Sequence, residues 1–291
     1  MKQAILITGY KNLNQLSSLI DFFDDDFHFY IHVDAKTKSA DHILSALNEK
    51  KQVRVISRKY SVNWGGRNHL LAILELCRLA AKDQENDYFH LITGEDYPIK
   101  SVDAFKNKFS AEKTKEFLMH IPLTKSAWPN QGKDRLMRYN FFDLLNAKAA
   151  SGARWIRRLQ RYQDKLNLKR SAKGLIETMY GGSTYWSLTK NGLQTVMDYT
   201  EEHPSFLKRL KHTFCAEEVY FQSILLNSPL ANQVENSNLR FIDWGEHKTT
   251  SPLTLNEEHY EILLQSDCFF ARKINANTSS LIEKINDRFK S

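Results

Sequence analysis

Adjacent carboxylates open one of the most regular segments of the chain. Glu217 and Glu218 begin EEVYFQSILL, whose apolar spacing predicts a helix over 217–226. An acidic pair in a first turn complements the helix dipole. Two effects on its acidity oppose each other: the helix start lowers a carboxylate pKa and a like-charged neighbour raises it. A second acidic pair, Glu95 and Asp96, lies in TGEDYPIK. The two are adjacent rather than spaced D-x-D, and single-carboxylate magnesium sites exist, so this pair leaves a metal open. Glycines mark two further places. Trp64, Gly65 and Gly66 open a helix over 66–82, where bare N–H groups suit an anion or simply close packing, with Trp64 then a core residue. Gly181, Gly182 and Ser183 precede the run TYWSLT. Gly9 lets a ligand approach the backbone, with Tyr10 beside it, and Asp34 ends the run FHFYIHV.

These residues need elements to hold them. The apolar run at 4–8 and the segments 27–33 (FHFYIHV) and 52–56 (QVRVI) read as strands, with helices between them. That alternation predicts a parallel sheet in an α/β fold, with ligand beyond the carboxyl ends of the strands. Gly9, Asp34 and the loop 57–66 fall at those ends. Further strands are expected at 88–93, 116–121, 184–189 and 238–244, and GEDYPIK (94–100) as a loop. Helices are expected at 102–109, 154–170, 190–200 and near the carboxyl terminus. A single domain is the simplest organisation, since repeats, low-complexity tracts and Gly/Ser linkers are absent. Within it, 1–100 reads as a nucleotide-binding half, 101–275 as an acceptor and catalytic half, and 276–291 as a final helix.

The chain has 291 residues, 42% hydrophobic, enough to bury a substantial core. Its three cysteines, Cys77, Cys215 and Cys268, are far apart and unpaired in sequence, which argues against a disulfide frame or zinc cluster. No apolar run approaches the roughly 18 residues of a membrane span, and the start lacks a signal-peptide core. The expectation is a cytoplasmic chain. A formal net charge of +7 favours anionic partners without choosing among them. The basic residues follow no RNA-binding or zinc-finger motif, so nucleic acid is not expected as a partner.

Seven segments in order carry a resemblance: IHVDAK (31–36), VNWGGRNHLLAILEL (62–76), HLITGEDYPIKS (90–101), YGGSTYWSLT (180–189), AEEVYFQSILLNSP (216–229), NLRFIDW (238–244) and FFARK (269–273). Together they resemble the core-2/I-branching β-1,6-N-acetylglucosaminyltransferase family, which includes the peptide O-xylosyltransferases, across about 4–275. The resemblance implies a GT-A-type, Rossmann-like fold with a mixed central sheet between helices. It also implies an inverting transfer of GlcNAc or xylose from a UDP-sugar to a glycan hydroxyl, with no divalent metal or other cofactor required. A surface polysaccharide or its lipid-linked precursor fits a cytoplasmic enzyme.

In that light Glu218 matches the family's catalytic base, with Glu217 beside it toward the acceptor. Arg240 and Lys273 match the basic pair on the UDP diphosphate, with Arg272 the neighbouring alternative. Without a metal, the charge left on the departing phosphate must meet Arg or Lys. Asp34 is placed to bond the uridine or to cap the next helix, while Gly9, Tyr10 and Trp64 line the donor side. Asp96 is expected on the donor or acceptor sugar. Gly182 and Ser183 are expected beside the acceptor, with Tyr185 or Trp186 stacking on a sugar or packing in the core. Lys133, Asp134, Arg135, Arg138 and Tyr139 match a charged, variable acceptor region. The competing reading is a degenerate relative that binds UDP-sugar or glycan without catalysis.

The segment 154–173 carries eight Lys or Arg against one Asp, with Trp155, Ile156, Leu159, Tyr162 and Leu166 at helical spacing. This is either a surface helix with its apolar stripe on the core or a dock for an anionic membrane.

Overall fold

A computed structural model describes residues 1–38, 41–245, 251–275 and 278–290. Strands β1 (Lys2–Gly9), β2 (Phe27–Val33), β3 (Val53–Ser57) and β4 (Asn86–Thr93) are parallel, and α1 (Leu13–Asp21), α2 (Asp41–Asn48) and α3 (Arg67–Lys82) cross between them. The chain continues through β5 (Asp96–Pro98), α4 (Val102–Ala111), β6 (Glu116–Pro122), α5 (Lys133–Met137), α6 (Ala150–Lys165) and β7 (Tyr180–Thr189). It ends through α7 (Lys190–Glu202), α8 (Pro204–Arg209), α9 (Glu217–Leu225), β8 (Val234–Glu235), β9 (Arg240–Ile242), α10 (Tyr260–Gln265), β10 (Phe270–Arg272) and α11 (Ser279–Phe289). The expected final helix, 276–291, is thus seen over α11, while 276, 277 and 291 lie outside the described residues.

The main sheet has seven strands in the order β3-β2-β1-β4-β7-β6-β8. It is mixed, because β7 runs antiparallel to both β4 and β6. Alternate strand residues feed two cores. Ile5, Ile7, Phe29 and Ile31 meet α1, α2, α4, α10 and α11 on one face. Ala4, Leu6, Phe89, Leu91 and Trp186 meet α3, α7, α8 and α9 on the other. Two covered faces explain why AILI is apolar without alternation and why every residue of FHFYIHV is buried, His28 and His32 included.

Residues 94–100, expected as a loop, contain β5, which pairs antiparallel with β10 in a second sheet of order β5-β10-β9. A three-residue strand is too short for periodicity to register. Strands from 1–100 and from 101–275 share the main sheet, with β7 hydrogen-bonded directly to β4.

Candidate active site

The parallel strands end together at Thr8-Gly9, Val33-Asp34 and Thr93-Gly94, and α9 begins against this edge. Its first residues face different partners. Glu217 is buried, and its Oε1 lies 3.1 Å from His69 Nδ1. The other nitrogen of His69 lies 3.2 Å from Thr8 Oγ1, so β1, α3 and α9 are tied side chain to side chain. Glu217 Oε2 is buried without a hydrogen-bond partner among the described residues.

Glu218 points to Arg135, which donates to its Oε2 at 2.5 Å. Arg135 is itself held between aromatic faces, 3.6 Å from the Trp128 ring and 5.0 Å from that of Phe214. Gly181 makes room for this stack: a Cβ there would lie 2.5 Å from Trp128. Burial pushes the Glu218 carboxyl up to about 7. The Arg135 charge opposes that rise and Glu217 adds to it. Of the competing effects on its acidity, desolvation and the like-charged neighbour prevail.

Beyond the end of β1, cations gather around an exposed ring. Lys148 donates to Tyr10 Oη at 3.2 Å and lies 5.1 Å from its ring, while Lys11 lies 5.4 Å from the same ring. Lys11 also pairs with Glu95 at 2.9 Å. Burial works against the Lys11 charge, yet Glu95 wins and raises its pKa. Burial lowers Lys273; Arg272 and Lys11 push the same way, with Glu95 and Tyr10 opposing. Lys273 donates to Ser251 Oγ at 2.5 Å. Lys11 and Lys273 thus share the Glu95 carboxylate and Lys148 joins them at the Tyr10 ring, a surplus of positive charge that favours an added anion.

Residues 4–264 match the model of a family described as Core-2/I-Branching enzyme. The chain belongs to the Core-2/I-branching enzyme family. Curated relatives include Xylosyltransferase 1 of Mus musculus, 24% identical over 243 residues, which are 81% of this chain and 23% of that protein. Xylosyltransferase 1 of Rattus norvegicus is 25% identical over 248 residues, 83% of this chain and 28% of that one. The chain therefore spans about a quarter of the length of these relatives. Among solved structures, S. aureus TarS 1-349 aligns at 12% identity over 80% of this chain and 57% of that chain, with a TM-score of 0.40. A likeness at that score carries no argument.

For a Core-2/I-branching enzyme the residue expectations divide. Glu218, Glu217, Gly9, Tyr10 and Lys273 come to the carboxyl edge of the sheet. Arg240 does not. It is 4% exposed, and its guanidinium donates to Ser187 Oγ at 2.8 Å and to the carbonyls of Asn238, Trp186 and Leu91 at 2.5, 2.9 and 3.0 Å. Burial lowers its pKa to about 10, which still leaves it charged at neutrality. This arginine braces β4, β7 and β9 from inside; its Nε has no hydrogen-bond partner among the described residues, and it too is buried.

Asp96 is likewise fully buried, its Oδ2 accepting from Thr93 N at 2.7 Å and Thr93 Oγ1 at 2.5 Å. Its Oδ1 lies 3.6 Å from Arg272 Nε, so the carboxylate holds the turn after β4 instead of reaching a sugar. Asp34 accepts from Lys36 N at 3.0 Å and Val62 N at 3.2 Å, pinning the 58–63 loop; in that role it neither caps a helix nor faces open space. The α3 start is already capped: Asp143 accepts from Arg67 N and Asn68 N at 3.2 and 2.9 Å. The anion role imagined for Gly65 and Gly66 is filled by that carboxylate. Trp64 is half exposed, edge-on to Phe214 at 5.2 Å, and flanks the Arg135 stack.

The smallness of Gly182 is explained by the sheet, because a Cβ there would meet Met119 O at 1.8 Å. Ser183 Oγ accepts from Tyr185 N at 3.3 Å. Tyr185 is buried with Arg272 4.5 Å over its ring, and Trp186 packs on Phe221, so neither offers a bare face to a sugar. In the charged region, Arg138 pairs with Asp134 and Asp164, Lys133 is exposed, and Tyr139 is half exposed. Sequence reasoning placed Arg135 only in an acceptor region and missed Lys11, Lys148, His69 and Trp128. Lys11 was findable from its place beside Tyr10; Lys148 carried no signal.

Two groups among the described residues bring metal-type ligand atoms within 4.8 Å: His28, Asp83 and Glu85, and Cys215, Glu217 and Glu218. In the second, burial and the two glutamates raise the Cys215 thiol well above its ordinary range, and Arg135 already holds Glu218. A protonated thiol is a poor ligand.

Proposed function

We propose that this chain is a glycosyltransferase. It moves GlcNAc or xylose from a UDP-sugar onto a hydroxyl of a glycan or lipid-linked glycan, by inversion and without a divalent metal. The observation that carries the reading is the pairing, on one sheet edge, of a carboxylate raised to about 7 with a lysine cluster open to an anion. Family membership supports the same reaction class.

In a single displacement the acceptor oxygen bonds to the anomeric carbon while the bond from that carbon to the diphosphate oxygen breaks. Glu218 takes the acceptor proton, and UDP leaves with the electron pair. A base poised near the working pH is effective in this role. Lys11, Lys148 and Lys273 meet the charge developing on the leaving phosphate, the task first assigned to Arg240 with Lys273. Glu95, one of the acidic pair that left a metal open, is paired with Lys11, which supports the metal-free form of the reading. The setting is cell-surface polysaccharide synthesis on the cytoplasmic side, with peripheral contact at an anionic membrane.

The test is a panel of UDP-sugars assayed for UDP release with and without EDTA, beside calorimetry of UDP binding. One donor turning over equally in both conditions is the expected result. UDP binding with no release from any donor and acceptor favours the non-catalytic alternative.

A further inference from the structure

The chain's whole charge surplus sits in one short segment. Residues 154–173 hold eight of the 41 Lys and Arg and one of the 34 Asp and Glu, so the remainder holds 33 of each. Arg170 is buried on the carbonyls of Leu136 and Lys211 and on Thr213, leaving Arg154, Arg157, Arg158, Arg161, Lys165, Lys169 and Lys173 exposed. The sole acid, Asp164, pairs with Arg138 at 2.9 Å.

The reading of this helix as a surface helix with its apolar stripe on the core accounts for only part of that stripe. Ile156 and Gln163 are buried against the protein and Leu159 partly so. Trp155, Tyr162 and Leu166, however, are 52%, 50% and 63% exposed, followed by Leu168 at 50%. Arg158 lies 5.3 Å from the Trp155 ring and 5.8 Å from that of Tyr162, so cation and aromatics share one face. Large amphipathic rings between arginines match the headgroup zone of a bilayer, where rings sink and guanidinium groups meet phosphate.

The run leading into α6 also walls the candidate active site. Phe142 packs on Trp64 and Phe214, Asp143 caps α3, and Lys148 reaches Tyr10. Leu144, in the same run, is 77% exposed.

We propose that the Trp155–Arg158–Tyr162 face of α6, with Leu144 and Leu166, docks on an anionic lipid bilayer and holds the mouth of the site against the headgroups. This names the surface behind the membrane contact in the reading above, on which it rests; UDP binding is measured on the same variants to separate the two. Vesicle co-sedimentation is the test, using phosphatidylcholine alone and with phosphatidylglycerol. Binding is expected only with the anionic lipid and is expected to weaken with salt. Replacing Arg154, Arg157 and Arg161 together by Gln is expected to weaken it on the order of 100-fold, at about fivefold per lost charge. Trp155→Ser with Tyr162→Ser is expected to weaken it with UDP binding unchanged. No vesicle binding, equal binding to neutral vesicles, or wild-type binding by both variants overturns the proposal. Vesicle binding by a chain that does not bind UDP sinks the transfer reading and leaves the docking surface standing.

Discussion

Glu218 and Arg240 are the residues on which the chemistry and the fold part company. Glu218→Gln keeps the shape of the side chain and removes the proposed base. Transfer is expected to fall by about 10²–10⁴-fold with UDP affinity unchanged, read by UDP release and calorimetry. In its proposed role Glu218 works deprotonated, so activity is expected to be lost as pH falls through about 7. Arg135 holds that pKa down, so Arg135→Gln is expected to shift the acid limb of kcat/KM upward; an unmoved limb rejects its positioning role. Arg240→Met leaves buried carbonyls without donors, and a loss of about 3 kcal/mol or more is expected in denaturant unfolding. Lys273→Ala is expected to weaken UDP binding with little change in stability. The residue types were legible from one chain; their burial was not. A basic residue in a strand reads the same whether it clamps a ligand or ties three strands together, and only the neighbours of Arg240 decide. Lys11, Lys148 and Lys273 lie far apart in sequence, so no spacing rule joins them.

At the level of elements, legibility followed length and periodicity. The continuous apolar run of β1, the aromatic-rich strand β2 and the helical stripe of α3 were plain, because each extends over several residues. β5, β9 and β10 have three residues each and take their strand character from pairing with one another. The strand β7 joins both sides of the site. Its Gly181 admits the Trp128 ring beneath Arg135, so Gly181→Val drives that ring out. The guanidinium then loses its seat. The expected outcome is a kcat reduced by 10-fold or more, on the scale of a misplaced catalytic group, with UDP affinity retained. Steady-state kinetics beside calorimetry check this, and equal losses in kcat and UDP affinity point instead to a general disturbance of the sheet.

Across the whole molecule, the donor cluster is assembled from three distant stretches: Lys11 after β1, Lys148 before α6 and Lys273 after β10. An anion held by all three links the first strand, the loop ahead of the basic helix and the last strand, and therefore favours the folded chain over the unfolded one. Ligand at about 100 times its Kd stabilises by ~2.7 kcal/mol, and for a chain of this size that raises Tm by roughly 5 °C. UDP is expected to give such a shift, and, if lysines carry the contact as proposed, EDTA is expected to leave it intact. Each Lys→Ala change is expected to shrink the shift with the unliganded Tm nearly constant. A shift abolished by EDTA and restored by Mg²⁺ or Mn²⁺ would assign the diphosphate to a metal and leave the lysine cluster without that role.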